Sequence, residues 1–184
     1  MTFPKPYAET VQRLRVPSGF LLALAFVLLA EPSGGSLAAG APFLAAGLLL
    51  RTWAAGHLRK DRCLTTSGPY AWHRNPLYAG SLLAAAGCAI AAGSALLVLL
   101  VAAVFALVYL PVMQQEEQHL AALFPRFEDY ARRVPQLLPR RPAAPGPGVF
   151  QWAVWKINKE WKGVAAFCLL YAFLAARWLA SASL

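Results

Sequence analysis

The stretch Leu77–Met113, LYAGSLLAAAGCAIAAGSALLVLLVAAVFALVYLPVM, runs for 37 residues without a charged side chain. A single helix of that length would measure about 55 Å at 1.5 Å per residue. The hydrocarbon core of a bilayer is only about 30 Å thick and is crossed by roughly 20 helical residues. The stretch must therefore fold back on itself, and the small residues Ala91-Ala92-Gly93-Ser94 are where a tight turn fits. This predicts a helical hairpin and sets the fold class as all-α, a polytopic membrane helix bundle.

Working outward, the two limbs of the hairpin become spans three and four. Val16–Ala30 reads as a short first span, Leu37–Ala55 as a second with Arg51 snorkelling from its end, and Gly163–Leu179 as a fifth. Lys5, Arg13 and Arg15 before the first apolar run resemble a secretory leader. The turn Glu31-Pro32-Ser33-Gly34-Gly35 and the apolar run straight after it favour a retained span instead. Of the 17 lysines and arginines, 16 fall on one side of this division, and only Arg177 lies beyond it. Basic residues hold cytoplasmic loops, so the pattern predicts five transmembrane helices, N-in and C-out.

Composition agrees. Of 184 residues, 59% are hydrophobic and 14% charged, against about 25% charged in soluble domains, and mean hydropathy is +0.50. The net charge of +9 is then read as attachment to an anionic leaflet of the lipid bilayer, and no nucleic-acid partner is expected. Cys63, Cys88 and Cys168 share no CxxC spacing, which argues against a disulfide framework. His57, His73 and His119 show no ligand spacing and read as interfacial polar residues; no metal site is expected. The chain reads as one domain, 1–184. Arg140 to Gly148 (Arg-Arg-Pro-Ala-Ala-Pro-Gly-Pro-Gly) cannot be helical, so 141–148 is a linker. Beyond it, 149–184 is read as an interfacial helix plus the fifth span. In it Phe150, Val154, Ile157 and Trp161 recur at helical spacing, Lys156, Lys159 and Lys162 lie on another face, and Trp152 and Trp155 act as anchors.

The polar segments at the hairpin's ends hold the candidate chemistry. Before span three comes Gly68-Pro69-Tyr70-Ala71-Trp72-His73-Arg74-Asn75-Pro76-Leu77-Tyr78-Ala79-Gly80. Gly-Pro is turn chemistry, and Pro76 suits a first helical turn. Span four leaves through Gln114-Gln115-Glu116-Glu117, two carboxylates at a helix C-terminus, where negative charge is unfavourable. Adjacent helical positions point about 100° apart, so at most one of the pair aims squarely into the bundle.

On these residues the chain resembles the isoprenylcysteine carboxyl methyltransferases and the related phospholipid methyltransferases, a family of integral membrane enzymes. The resemblance covers a core of 64–140. It rests on Gly68-Pro69-Tyr70, on the Arg-x-Pro-x-Tyr-x-Gly element at Arg74–Gly80, and on Glu116-Glu117 with Leu120. Val134-Pro135-Gln136-Leu137-Leu138-Pro139-Arg140 closes it. Asn75 stands where such proteins more often carry His, Pro125 where Gly is usual, and Phe127 at one of two tyrosine positions.

The resemblance implies a cytosolic site for S-adenosylmethionine. Gly68, Pro69, Tyr70, His73, Arg74, Asn75, Pro76, Glu116 and Glu117 would bind it, with Arg74, Tyr78 and Glu117 as the catalytic set. Glu117 would take the ammonium or ribose, Arg74 the carboxylate, and Tyr78 would line the way to the membrane. The acceptor would be lipidic or a small hydrophobic molecule, a carboxylate in preference to an amine, and the membrane a bacterial inner membrane. Oligomeric state is open. Two other readings stand beside it: an NADPH-dependent reductase related to the membrane sterol reductases, and a non-catalytic membrane scaffold.

Overall fold

The computed structural model describes residues 3–60, 62–141 and 148–182, and among them there are seven helices and no strand. Four helices are long and apolar enough to cross a membrane. They are α1 (Lys5–Leu29), α2 (Gly34–Ala55), α4 (Ala95–Leu123) and α7 (Glu160–Ala182). The expected third span, α3 (Pro76–Ala91), has 16 residues, about 24 Å at 1.5 Å per residue, which is less than the hydrocarbon core. Five apolar helices are thus present, four of spanning length. Together they mark an integral membrane protein.

The hairpin turn falls where small residues predicted it. α3 stops at Ala91, Gly93 takes φ +68°, and α4 starts at Ala95. A side chain at Gly93 would also drive into the Glu31 carbonyl. At this end the Glu31 amide donates to the Ala92 carbonyl (2.7 Å) and the Ser36 hydroxyl to that of Ala91 (2.9 Å). Ser33 and Ser36 cap α2 reciprocally, satisfying amides that no helical carbonyl can reach.

α3 lies against α2 with almost no side chain between them. A Cβ at Gly47 would sit 2.6 Å from the Gly80 carbonyl oxygen, and one at Gly87 would sit 2.8 Å from that of Gly40. Small residues at seven-residue spacing on both helices let the backbones touch, which is how helices associate where lipid removes the usual hydrophobic drive.

α4 contains a wider π turn, Phe105–Tyr109, just before Pro111. Pro111 has no amide hydrogen to give the Leu107 carbonyl. The freed carbonyl accepts instead from the Tyr7 hydroxyl of α1 at 2.7 Å. The first helix therefore starts well before the expected Val16, and its opening turns dock on the middle and C-terminal part of α4. Phe3 reinforces this, its amide donating to Gln114 Oε1 at 2.7 Å.

Two expectations are corrected here. Arg51 does not snorkel. Its side chain is 18% exposed and forks onto Glu160 (Nε–Oε1 2.6 Å, Nη2–Oε2 3.0 Å), while Nη1 donates to Ser81 Oγ and the Leu77 carbonyl. And the helix after the linker is broken: α6 (Trp152–Ile157) ends at Asn158, Lys159 adopts φ +54°, and α7 begins at Glu160. Ile157 and Trp161 therefore do not share one helix. Asn158 Nδ2 explains the break by donating to the Ala55 (2.8 Å) and Leu58 (2.9 Å) carbonyls, which are left open at the end of α2. The predicted 141–148 linker falls almost wholly outside the described residues.

Glu160→Ala is expected to destabilise the bundle by about 2 kcal/mol, because Arg51 keeps its charge in a half-closed site without a carboxylate. Denaturant unfolding of the detergent-solubilised protein reads this. Pairing the change with Arg51→Met should restore most of the loss, and an unchanged midpoint in the single variant would show that the pair contributes nothing.

Candidate active site

Five chain segments meet at the end of the bundle opposite the Ala91–Ser94 turn: the start of α1, the end of α2, the loop before α3, the end of α4, and the return after α5 (Phe127–Arg133). The loop is held in shape by its own sequence. Gly68 takes φ +58°, a conformation that favours glycine, and opens a single 3-10 turn in which Pro69, Tyr70 and Ala71 are buried. The closing segment Val134–Arg140 lies alongside it: Arg74 and Asn75 amides donate to Pro135 (2.8 Å) and Gln136 (3.2 Å), and the Arg140 amide to Trp72 (3.0 Å). The Tyr130 hydroxyl donates to the Tyr70 carbonyl at 2.7 Å, so α5 clamps the turn from the other side.

Arg74 and Glu117 form the centre. The guanidinium forks onto the carboxylate with Nε–Oε1 and Nη2–Oε2 both at 3.0 Å, and Nη1 donates to the Ala131 carbonyl at 2.7 Å. Asn75 Nδ2 donates to Glu117 Oε1 at 2.9 Å. Glu116 points elsewhere, as the helical offset requires: it accepts from the Tyr78 hydroxyl at 2.7 Å and meets Arg15 at 3.5 Å. The two adjacent carboxylates thus serve two different groups.

A cavity of about 760 Å³ opens beside this pair. Of the expected residues, Tyr70, Arg74, Asn75, Glu116 and Glu117 line it. Gly68, Pro69, His73, Pro76 and Tyr78 do not; Pro69 and Pro76 are fully buried and shape the loop. His73, expected at the interface, is only 3% exposed. Burial pulls its pKa below the ordinary value, so the imidazole is neutral at physiological pH. Burial likewise pushes the Tyr70 and Tyr130 hydroxyls up, which keeps both as phenols.

Sequence reasoning missed the wall given by α1, where Glu9 and Gln12 face the cavity and Arg15 reaches Glu116. The signal was there in the polar residues at helical spacing before Val16. It also missed Gln115, whose Oε1 is buried without a partner among the described residues, as is the Tyr70 hydroxyl; both residues border the cavity.

Residues 47–126, spanning α2 to the end of α4, match the phospholipid methyltransferase family model. The match covers 80 of the 184 residues, less than half of the chain, and agrees with the resemblance carried by the motif residues. Among curated proteins, the chain is 41% identical over 92 residues to the cobalt-zinc-cadmium resistance protein CzcN of Cupriavidus metallidurans. It is 39% identical over 92 residues to the nickel-cobalt-cadmium resistance protein NccN of Alcaligenes xylosoxydans xylosoxydans. Each match covers 49% of this chain and 43% of the relative, so the chain spans well under two thirds of the length of these proteins. The protein-S-isoprenylcysteine O-methyltransferase of Schizosaccharomyces pombe is 28% identical over 144 residues, 75% of this chain and 61% of that enzyme. No solved structure matches. The matched segment carries Arg74, Asn75, Tyr78, Glu116 and Glu117, while Tyr130 and the closing segment lie outside it.

Proposed function

We propose that this protein transfers the methyl group of S-adenosylmethionine to a hydrophobic acceptor taken from the bilayer. The reading has the loop end of the bundle in the cytoplasm of a bacterial cell and all five apolar helices embedded in the inner membrane. The observation that carries it is the Arg74–Glu117 pair of the matched segment, which borders a large cavity. A cavity of about 760 Å³ lies within the usual range for cofactor sites, roughly 300–1,000 Å³.

The residues suit the donor. Its amino-acid end bears an ammonium and a carboxylate, and Glu117 and Arg74 would hold them in charge-assisted hydrogen bonds. Its base needs neutral partners, and the unpartnered Gln115 Oε1 and Tyr70 hydroxyl at the cavity are of that kind. Bound there, the donor supplies an activated methyl group. The protein's own part is to align the acceptor with it and to keep water out.

Titration calorimetry of S-adenosylmethionine against the detergent-purified protein tests this. Saturable binding is expected, weakened at least tenfold in Glu117→Ala, since a hydrogen bond to a charged group contributes about 1.5–3 kcal/mol. A folded protein that takes up NADPH and not S-adenosylmethionine would replace this reading with the reductase; one that binds neither would leave a scaffold.

A further inference from the structure

We infer that the elbow between α6 and α7 is a docking surface for the headgroups of anionic phospholipids, and that their binding steadies one wall of the large cavity. The inference goes beyond the methyltransferase reading and does not depend on it. Lys156, Lys159 and Lys162 are all exposed here, beside the exposed side chains of Trp152, Ile157 and Trp161. The one acid within 149–162 is Glu160, which is buried and taken up by Arg51. The charge that the elbow turns outward is therefore wholly positive.

Its place in the fold sets what it meets. α2 ends at Ala55 and α7 begins at Glu160, and both helices are long and apolar enough to cross a membrane. The elbow thus lies where two spanning helices leave the hydrocarbon. Tryptophan rings collect at that headgroup level, and lysine stems reach from it to the phosphates. Lys159 is a second sign. It holds φ +54°, a conformation that glycine adopts without a side-chain penalty, so a cation is carried where the backbone alone favours no side chain. A soluble acidic partner would match the lysines and leave the apolar side chains uncovered, whereas a bilayer surface takes both. Phosphatidylcholine offers no net charge to the lysines; an anionic lipid does.

The elbow is bonded to the cavity wall. Asn158 Nδ2 donates to the Ala55 and Leu58 carbonyls, and the Gln151 amide donates to the Gly56 carbonyl at 3.0 Å. The Phe150 ring fills the space that a side chain at Gly56 would need and meets His57 edge-on at 6.1 Å. Leu58, with Arg59 and Lys60 after it, borders the large cavity. Headgroups that hold the elbow against the membrane hold this wall through Asn158. A lipid bound by the folded state alone stabilises it by mass action.

The test is quenching of tryptophan fluorescence in phosphatidylcholine vesicles that carry brominated phosphatidylglycerol or, as reference, brominated phosphatidylcholine. The wild type is expected to prefer the phosphatidylglycerol about fivefold or more, the effect of one or more lysines near an anionic surface. Lys156→Gln, Lys159→Gln and Lys162→Gln combined should bring the preference to within about twofold. Arg126→Gln, Arg132→Gln and Arg133→Gln combined remove three exposed cations on and beside α5 and should leave it unchanged. Phosphatidylglycerol should also raise the unfolding midpoint, and Asn158→Ala should keep the lipid preference while losing most of that rise.

Equal quenching by the two lipids overturns the inference and leaves the lysines to water or an acidic protein. An equal loss in the arginine variant reduces the effect to net charge and overturns it too. A rise in midpoint that survives Asn158→Ala overturns the tie to the cavity wall. Should the lysine variant fail to fold, salt decides on the wild type. The preference should fade as the screening length shrinks from about 10 Å at 0.1 M to about 3 Å at 1 M, and one unmoved by salt overturns the inference. No readout involves S-adenosylmethionine, so failure of the methyltransferase reading would leave these outcomes untouched.

Discussion

Arg74→Lys is expected to lower the proposed methyl transfer about a hundredfold and to destabilise the protein by about 2 kcal/mol, although it keeps the charge. The guanidinium makes three directed bonds: two to the separate oxygens of Glu117, both at 3.0 Å, and one of 2.7 Å to the Ala131 carbonyl. An ammonium is a point charge on a flexible stem and cannot reproduce this planar fork. With Lys, Glu117 keeps Asn75 but loses its rigid partner, and the return through α5 loses its tie to the loop. Arg74 and Glu117 side chains are only 15% and 18% exposed, so water compensates in part. Hydrogen bonds involving charged groups contribute about 1.5–3 kcal/mol each, and this partial hydration brings the net loss to the lower figure. Thermal unfolding in detergent and turnover with labelled donor measure the two effects. Equal turnover in the lysine variant would mean that the fork has no part in the chemistry.

Gly47→Val will prevent α2 and α3 from docking, and little folded protein should accumulate. The added Cβ would lie 2.6 Å from the Gly80 carbonyl oxygen and about as close to the backbone of Ala84, and backbone cannot rotate aside as a side chain can. Overpacking a close contact typically costs about 1–3 kcal/mol, and Gly47→Ala should fall at the upper end of that range. A branched residue adds two more methyl groups with nowhere to go. The damage would reach the site as well, because α3 carries Tyr78 and begins right after Asn75. Gly19→Ala is the contrast: nothing lies within 4 Å of its Cβ, and removing a helix-interior glycine should stabilise by about 0.5–1 kcal/mol. Chemical unfolding of the alanine pair separates packing from helix propensity, and similar midpoints for both would show that the α2–α3 contact is looser than its geometry.

Much of the fold was legible because it follows from local rules. An uncharged run too long for one crossing has to turn, and Gly93 can adopt the positive φ that the turn needs. Pro76 starts a helix because its missing amide hydrogen is not required there. The motif residues Arg74, Asn75, Glu116 and Glu117 were likewise visible, as polar groups set in an apolar chain. Less visible was the length of α1. Hydropathy marks only its apolar part, whereas Tyr7 and Phe3 dock the polar start by bonds to Leu107 and Gln114, more than 90 residues away in sequence. The elbow at Asn158–Lys159 was hidden for the same reason: the carbonyls that hold it belong to Ala55 and Leu58.

The sequence by itself determined that this chain is a helical membrane protein, where its hairpin turns, and which polar residues sit at the mouth of that hairpin. Those are matters of hydrophobic length and backbone freedom, both set by neighbours along the chain. Only the tertiary structure decided which charge meets which: Arg74 with Glu117, Arg51 with Glu160, and Tyr78 and Arg15 with Glu116. A carboxylate binds whichever donor the packing of distant helices brings within about 3 Å. That packing depends on the glycine contacts between α2 and α3, which no local pattern specifies.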